Sequence, residues 1–144
     1  MKRIILSGCN GKMGRTIVDL IKDKEGCKLV AGIDFNDLQS DLFPVFRFPA
    51  DCDVKADVII DFSHPAGLSS LLDYAIDKKL PLVLATTGLS EEQLGAVHEA
   101  SKEIPIFHTA NMSLGVNLMV ALVQKAALVL GDNFDIEIIE KRCV

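Results

Sequence analysis

Short apolar segments alternate with helix-forming segments along this chain, and that alternation limits the folds it can adopt. Apolar segments of strand length recur at "RIILSG", "CKLVAGI", "ADVIIDF", "PLVLAT", "PIFHT" and "FDIEII". Strands that are apolar along most of their length are typical of parallel sheets covered by helices on both faces. The pattern therefore predicts an α/β fold, with a doubly wound parallel sheet as the middle of three layers.

The segments between these strands carry helix signals. Apolar residues recur at helical spacing over residues 13–21 and 68–76. The sequence "SEEQ" at residues 90–93 is a capping-box signature for the start of a third helix. A fourth helix is predicted to begin near Ser113 and to end at Gly131, because glycine favours the left-handed C-terminal cap.

Two stretches of the chain depart from this alternation. Residues 34–55 follow neither period, and Pro44 and Pro49 predict a loop with a short helical turn. Residues 118–130 form the longest apolar stretch, which is shorter than the roughly 20 residues needed to cross a bilayer. This stretch is therefore predicted to be a buried helix.

The size and charge of the chain exclude several classes of protein. Its 144 residues are about the size of one domain. A net charge of -5 without a long basic run argues against a nucleic-acid partner. The apolar part of the N-terminal "MKRIILSG" is too short for a secretion signal, which predicts a cytoplasmic protein without a membrane partner. The 4 cysteines lack metal-ligand spacing, so neither a metal site nor a disulfide is expected.

Residues 8–14, "GCNGKMG", join the first strand to the first helix. Gly8 and Gly11 would let a pyrophosphate approach the main chain, and the helix start would offer it unpaired N–H groups. Gly14 would let the helix lie close to the strand. This spacing is a variant of the dinucleotide-binding fingerprint, although a plain tight turn would use the same residues. Lys12 is interpreted either as a phosphate ligand or as a solvated lysine at the helix start.

One carboxylate supports the dinucleotide interpretation. Asp34 ends the second strand, 20 residues after Gly14, where an acidic side chain accepts hydrogen bonds from the adenosine ribose. A carboxylate repels a 2′-phosphate, and the next residues are Phe35 and Asn36 rather than an arginine. The sequence therefore predicts a Rossmann-like domain whose small-molecule partner is NADH or NADPH, with NADH favoured.

Small polar side chains follow the third, fourth and fifth strands, in "DFSHP", "ATTG" and "TANMS". In such folds the ligand lies beyond the carboxyl ends of the strands. Thr86, Thr87, Asn111 and Ser113 could hold a carboxamide or a ribose, and Phe62 could lie against a nicotinamide ring. Each of the polar residues could instead be only a turn or cap residue.

Titratable side chains near the strand ends receive no catalytic role. His64 and His108 are interpreted as packed or solvated bystanders, although imidazole titrates near neutral pH. Asp57 and Asp61 flank an apolar strand and are interpreted as edge or capping carboxylates. No catalytic residue is therefore assigned within the chain.

Taken together, "GCNGKMG", "IDF", "DFSHP", "ATTGL" and above all "ANMSLGVNL" closely resemble the N-terminal domain of the dihydrodipicolinate reductase family, also called 4-hydroxy-tetrahydrodipicolinate reductases. The resemblance spans essentially the whole chain. It implies an oxidoreductase of lysine and diaminopimelate biosynthesis that transfers a hydride from NAD(P)H to an unsaturated cyclic dicarboxylate and forms tetramers. It also implies a cofactor site made of Gly8, Cys9, Asn10, Gly11, Lys12, Met13, Asp34, Ala85, Thr86, Thr87, Ala110, Asn111, Met112 and Ser113.

The chain departs from the family pattern near its last residues. In the family, the strand matching "FDIEIIE" leads into paired histidines and a lysine, and then into a substrate-binding domain. This chain instead reads "EKRCV". We therefore expect residues 1–144 to form the dinucleotide-binding domain without the substrate and tetramerisation domain, and to bind cofactor without turnover. The alternatives are a stand-alone dinucleotide-binding module without activity, and another Rossmann oxidoreductase whose substrate domain comes from a separate chain.

Overall fold

The computed structural model describes residues 1–109, 113–131, 134–137 and 139. The chain divides into two compact units, residues 1–110 and residues 111–144, which are described separately. The first unit holds a sheet with its flanking helices. The second unit holds, within its described residues, one long helix.

A parallel sheet forms the centre of the first unit. In chain order the elements are β1 (Lys2–Ser7), α1 (Lys12–Lys22), β2 (Cys27–Ile33), β3 (Val45–Phe46), β4 (Val58–Asp61), α2 (Leu68–Asp77), β5 (Leu82–Leu84), α3 (Glu91–Ala100) and β6 (Ile106–His108). The strands lie in the order β3-β2-β1-β4-β5-β6, and all pairings are parallel. The chain runs outward in both directions from β1 and β4, which is the doubly wound arrangement predicted from the sequence.

Each face of the sheet carries its own apolar cluster, because successive side chains of a strand point to opposite faces. Ile5 and Ile59 pack in a cluster with residues of α2 and α3. Leu6 packs on the other face with Ile17 and Val18 of α1. The predicted three layers are therefore confirmed, with the sheet in the middle.

The strand register brings the carboxyl ends of three central strands to one edge. Ser7, the last residue of β1, pairs with Ile33 of β2 and with Asp61 of β4. Just beyond it, the Gly8 amide donates to the Ile33 carbonyl oxygen (2.8 Å), and the Phe62 amide donates to the Ser7 carbonyl oxygen (2.9 Å). The loop that follows β1 therefore leaves the sheet between the ends of β2 and β4.

The stretch predicted as a loop, residues 34–55, contains β3. This strand is only two residues long, so no side-chain period indicates it. Its main chain nevertheless continues the sheet, because the Asp34 amide donates to the Phe46 carbonyl oxygen (3.0 Å). The short helical turn predicted in the same stretch is confirmed as a 3-10 turn at Pro49–Asp51.

The strand predicted at residues 134–139 is not found in the residues described there. Residues 134–137 and 139 carry no strand assignment. A strand is stable only where a neighbouring strand pairs with it. An apolar alternation by itself does not supply that neighbour, which is why the prediction fails for residues 134–137 and 139.

The second unit contains α4, Leu114–Leu130. As predicted, the Ser113 hydroxyl caps its start by accepting the Val116 amide (3.3 Å), and Gly131 follows its end at φ +60°. None of the described residues of α4 is buried, and Leu128 is 86% exposed. The prediction of a buried helix is therefore wrong for this chain, because an apolar sequence is buried only where a second surface covers it. Among the described residues, no helix has both the length and the apolar character needed to cross a bilayer.

The approach of α1 to the end of β1 depends on Gly14. A Cβ at this buried position would lie 2.1 Å from the Gly8 carbonyl oxygen and 2.7 Å from main-chain atoms of Cys9. These are backbone atoms, which cannot rotate away as the end of a side chain can. The predicted role of Gly14 in close packing of helix and strand is therefore confirmed.

Gly14→Ala is expected to destabilise the fold by about 2 to 3 kcal/mol, because the backbone must shift to admit a methyl group. Gly95→Ala is the matched control, since Gly95 also lies inside a helix but nothing lies within 4 Å of its added Cβ. Alanine at this control position should stabilise by about 0.5 to 1 kcal/mol. Urea unfolding followed by circular dichroism measures both changes, and equal effects would contradict this account of Gly14.

An ion pair joins Arg3 of β1 to Asp57, the residue before β4. Asp57 accepts a hydrogen bond from Arg3 Nη2 (2.8 Å) and another from the Arg3 main-chain amide (2.7 Å). The side-chain hydrogen bond, followed by the main-chain one, holds the pKa of Asp57 well below its usual range. A carboxyl whose pKa is lower in the folded state than in the unfolded state stabilises the fold above its unfolded-state pKa of about 4. This stabilisation is lost as the pH falls toward the folded-state pKa.

Asp57→Asn is therefore expected to destabilise the protein at about pH 7 and to cost progressively less below about pH 4, where wild type also loses the charge. Urea midpoints of wild type and variant over this pH range measure the difference. A double-mutant cycle with Arg3→Gln isolates the pair from other effects of each substitution. A coupling free energy that does not change with pH would count against the ion pair.

Candidate functional site

The turn after β1 begins at the buried Gly8 and ends at the exposed Gly11, which has no side chain to cover its main chain. Gly8 has φ +76°, and a Cβ there would lie 2.7 Å from the Phe62 carbonyl carbon. Gly11 is the N-cap of α1 and provides no side-chain cap. The amides of Lys12 and Met13, in the first helical turn, have no acceptor within the helix. The turn therefore presents donors and the positive end of the α1 dipole to the same space.

The first turn of α1 also lacks acidic side chains that would neutralise the positive end of the helix dipole. It contains no acidic residue, whereas Lys12 and Met13 are both exposed there. A lysine at this position adds positive charge to the end of the dipole that already attracts anions. The arrangement suits a phosphate group better than a cation.

Asp34 lies at the end of β2 and is bound to the glycine turn. Its Oδ2 accepts the Asn10 main-chain amide (2.9 Å), and its Oδ1 accepts the Asn36 amide (3.0 Å). The Asn10 side chain reaches the same loop, donating from Nδ2 to the carbonyl oxygens of Asn36 and Leu38. These bonds hold the carboxylate in place. Each carboxylate oxygen keeps a further lone-pair direction for a ligand hydroxyl.

The Cys9 side chain points into the protein rather than toward a ligand. It is 2% exposed and packs in the α1-side cluster beside Gly32, where an added Cβ would lie 2.6 Å from Cys9 Sγ. Burial, and after it the charge of Asp34, raises the pKa of the Cys9 thiol to about 11. Cys9 therefore remains a neutral core residue at physiological pH, and only its main chain faces the turn.

A cavity of about 380 Å³ opens beside the turn and the carboxyl ends of β1, β2 and β4. Its outer wall is aromatic, with the rings of Phe35 and Phe48 in edge-to-face contact at 6.3 Å. Arg47 follows β3 and places its guanidinium 5.8 Å from the Phe48 ring centre. The residues that face this cavity include Gly8, Asn10, Gly11, Asp34, Phe35, Arg47, Phe48, Phe62, Ser63, His64 and Ser70.

A buried carboxylate joins the ends of β4 and β5. Asp61 is 1% exposed and accepts a hydrogen bond from the Thr86 hydroxyl. Its other oxygen accepts the Ser63 main-chain amide (3.2 Å). The Thr86 side chain is therefore engaged inside the protein, and its contribution to a ligand site is to hold the two strand ends together. The interpretation of Asp61 as a capping carboxylate missed this link, since nothing in the sequence indicates which strands are neighbours.

Five of the residues that the sequence singled out for cofactor binding in the first unit line this cavity, namely Gly8, Asn10, Gly11, Asp34 and Phe62. Ala85 and Thr87 follow β5, where Ala85 is half-buried and Thr87 is exposed. The Ser113 hydroxyl caps α4 in the second unit. Ala110, Asn111 and Met112 lie outside the described residues.

The two histidines show no contact that implies catalysis. His64 Nδ1 accepts the Ala66 amide (3.2 Å), which places a proton on Nε2 in the neutral ring. His108 is half-buried at the end of β6. Sequence reasoning also missed Arg47 and Phe48, because the strand that positions them has no periodic signal.

Comparisons with known proteins agree with this geometry. Residues 2–112 match the family described as dihydrodipicolinate reductase, N-terminus. The 4-hydroxy-tetrahydrodipicolinate reductase of Clostridium novyi (strain NT) is 50% identical over 141 residues, which are 98% of this chain and 56% of that relative. The protein of the same name from Caldanaerobacter subterraneus subsp. tengcongensis is 51% identical, over 98% of this chain and 55% of its own length.

Solved structures of other proteins share the fold of this chain. A dipicolinate-bound dihydrodipicolinate reductase from Paenisporosarcina sp. TG-14 matches with a TM-score of 0.75 and 25% identity, over 88% of this chain and 54% of its own. An oxidoreductase from Agrobacterium radiobacter in complex with NAD+, L-tartaric acid and magnesium shares the fold, with a TM-score of 0.61 and 15% identity over 88% of this chain and 41% of its own. The chain thus spans about half the length of the curated relatives it matches. It belongs to the dihydrodipicolinate reductase family and covers the N-terminal, dinucleotide-binding part of that family.

Proposed function

We propose that this chain binds NADH or NADPH and serves as the cofactor domain of a cytoplasmic, tetrameric 4-hydroxy-tetrahydrodipicolinate reductase. The complete enzyme would reduce an unsaturated cyclic dicarboxylate in lysine and diaminopimelate biosynthesis. The observation that carries the proposal is the turn that follows β1, where Gly8, Asn10 and Gly11 line a cavity that the fixed Asp34 carboxylate also faces and where α1 begins directly after Gly11. The residues present fit a dinucleotide, because an exposed glycine at the N-cap of α1, a first helical turn without acidic residues and the fixed Asp34 carboxylate lie beside one cavity.

The pyrophosphate would lie over the start of α1. Its negative charge would meet the amides of Lys12 and Met13, the helix dipole and the Lys12 ammonium group. At Gly11 the missing Cβ leaves the main chain open toward the cavity. This proposed anion site would bind NADH and NADPH alike, because both cofactors contain the pyrophosphate.

The adenosine would lie toward β2 and β3. Asp34 would accept a hydrogen bond from a ribose hydroxyl, as acidic residues at this position do in such folds. The adenine would occupy the aromatic part of the cavity near Phe35 and Phe48, where stacking and edge contacts with a flat ring are favourable. Asp34 favours NADH, since it faces the position that a 2′-phosphate would take.

The nicotinamide would lie toward β4, β5 and the following segments. A bound reduced nicotinamide supplies the hydride, and the role of this chain is to orient the ring. Phe62 would contact the ring, and Ala85 and Thr87 would border it, with Thr86 keeping the β5 end against Asp61. In this proposal no residue of the chain is given a catalytic role, and Ala110, Asn111 and Met112 lie outside the described residues.

Direct titration with NADH, followed by nicotinamide fluorescence, tests the proposal. Gly11→Ala should weaken NADH and NADPH binding by about tenfold or more, because a methyl group would stand between the pyrophosphate and the main chain. Gly95→Ala, on a helix that contributes no residue to the cavity lining, is the matched control and should bind as wild type does. The proposal fails if wild type binds no dinucleotide or if Gly11→Ala binds as tightly as wild type.

The same titration can be extended to turnover. We expect the chain to bind NADH without oxidising it when the cyclic dicarboxylate precursor is added, because the groups that orient the acceptor and protonate it are expected outside residues 1–144. Rapid oxidation of NADH by this chain would contradict the division into cofactor and substrate domains.

Asp34→Ala is expected to raise the ratio of the NADH Kd to the NADPH Kd by about tenfold, because the carboxylate binds a free ribose hydroxyl and repels a 2′-phosphate. Any loosening of the Asn10 turn weakens both cofactors and cancels in this ratio. Asp37→Ala removes the same charge from an exposed position of the same loop and is the control. An unchanged ratio in Asp34→Ala would show that this carboxylate does not contact the ribose.

A further inference from the structure

The residue that follows β3 lies beside the residue that follows β2. Ile33 pairs with Phe46 in the parallel ladder, so the next positions along the two strands are Asp34 and Arg47. The Asp34 amide donates to the Phe46 carbonyl oxygen at 3.0 Å, which extends the pairing to this point. An acidic and a basic side chain therefore leave the same edge of the sheet next to each other.

Arg47 has an uncommitted positive charge. Among the described residues its guanidinium forms no ion pair, in contrast to Arg3, which is bound to Asp57. Its packing partner is the Phe48 ring, 5.8 Å from the guanidinium carbon to the ring centre. The side chain is exposed and faces the same cavity as Asp34. Packing on the ring limits the directions the guanidinium can take while leaving its five N–H donors available.

Asp34, by contrast, already accepts hydrogen bonds on both oxygens. The donors are the main-chain amides of Asn10 and Asn36. The carboxylate is therefore held at the edge of the cavity and cannot swing across to Arg47. Within the part of the chain that the structure describes, the guanidinium is thus a cation without an ionic partner next to the position at which the adenosine ribose is proposed to bind.

We propose that Arg47 binds the 2′-phosphate of NADPH and thereby lets this site accept NADPH despite Asp34. The inference rests on the proposed function, since it concerns one substituent of the same cofactor. A guanidinium binds phosphate in a bidentate, charge-assisted manner, and an arginine near the acidic residue is the usual means of accommodating a 2′-phosphate. In this chain the arginine comes from the neighbouring strand rather than from the residue after Asp34, so the order of residues along β2 alone predicts too strong a preference for NADH.

The test is direct binding of four ligands by calorimetry or by ligand fluorescence. NADPH and NADH differ only in the 2′-phosphate, as do adenosine 2′,5′-bisphosphate and AMP. Arg47→Gln should weaken NADPH and the bisphosphate by about tenfold or more, corresponding to loss of a charge-assisted hydrogen bond, while NADH and AMP change by less than about twofold. Arg47→Lys keeps the charge and should retain part of the NADPH affinity.

Arg15→Gln is the matched control. Arg15 is also exposed, lies on α1 and faces a different cavity from Asp34, so its removal should change the affinity for the two cofactors equally or not at all. Salt provides a second readout. Wild-type affinity should fall more steeply with salt for NADPH than for NADH, and this excess should disappear in Arg47→Gln.

Two outcomes would overturn the inference while leaving the proposed function intact. One is that wild type binds NADH but not NADPH. The other is an equal loss of both cofactors in Arg47→Gln, which would mean that Arg47 contacts the adenine together with Phe48 and not the 2′-phosphate. Failure of wild type to bind any of the four ligands would instead remove the proposed function itself, and the inference with it.

Discussion

The site depends on how closely the backbone of one turn can approach its neighbours. At Gly8 the main chain lies against the start of the loop after β4, and at Gly14 the first helix lies against the carbonyl oxygen of Gly8. Both contacts exclude a Cβ. If either were widened, the start of α1 would move away from the strand ends, and the Asn10 amide would leave the Asp34 carboxylate. The start of α1 and the Asp34 carboxylate, where the pyrophosphate and the ribose are proposed to bind, are therefore positioned by the same close packing.

Charge is arranged in a definite order along the edge of the sheet. The start of α1 offers positive potential from its amides, its dipole and Lys12, with no acidic residue in the first turn. Asp34 follows on the β2 side, and Arg47 lies beyond it at the end of β3. A dinucleotide carries a negative pyrophosphate next to a ribose with neutral hydroxyls. The proposed placement of the pyrophosphate at the positive start of α1 and of the ribose at Asp34 matches these charges. Arg47, on the other side of Asp34, would extend this complementarity of charge to a ribose that carries a 2′-phosphate.

Part of this arrangement could be predicted from sequence because it is local. The glycine spacing and the position of Asp34 each follow from the geometry of one strand, one turn and one helix. Contacts between strands could not be predicted in the same way. The bond from Thr86 to Asp61 joins residues 25 positions apart and requires β4 and β5 to be neighbours. Arg47 was missed for a related reason, since its position is set by a strand of two residues.

In the second unit the local sequence pattern predicts the helix itself but not whether the helix is buried. Capping by Ser113 and the ending at Gly131 follow from local chemistry, so the helix forms where the sequence indicates. Its burial depends on a partner surface, and Leu118, Leu122 and Leu128 are all more than half exposed. Each such side chain forgoes part of the roughly 1.5 to 3 kcal/mol that full burial of an apolar side chain provides. The first unit, in contrast, has a closed core on each face of the sheet near the glycine turn. The proposed binding of the pyrophosphate and adenosine therefore depends on packing within the first unit, whereas many apolar side chains of α4 are exposed.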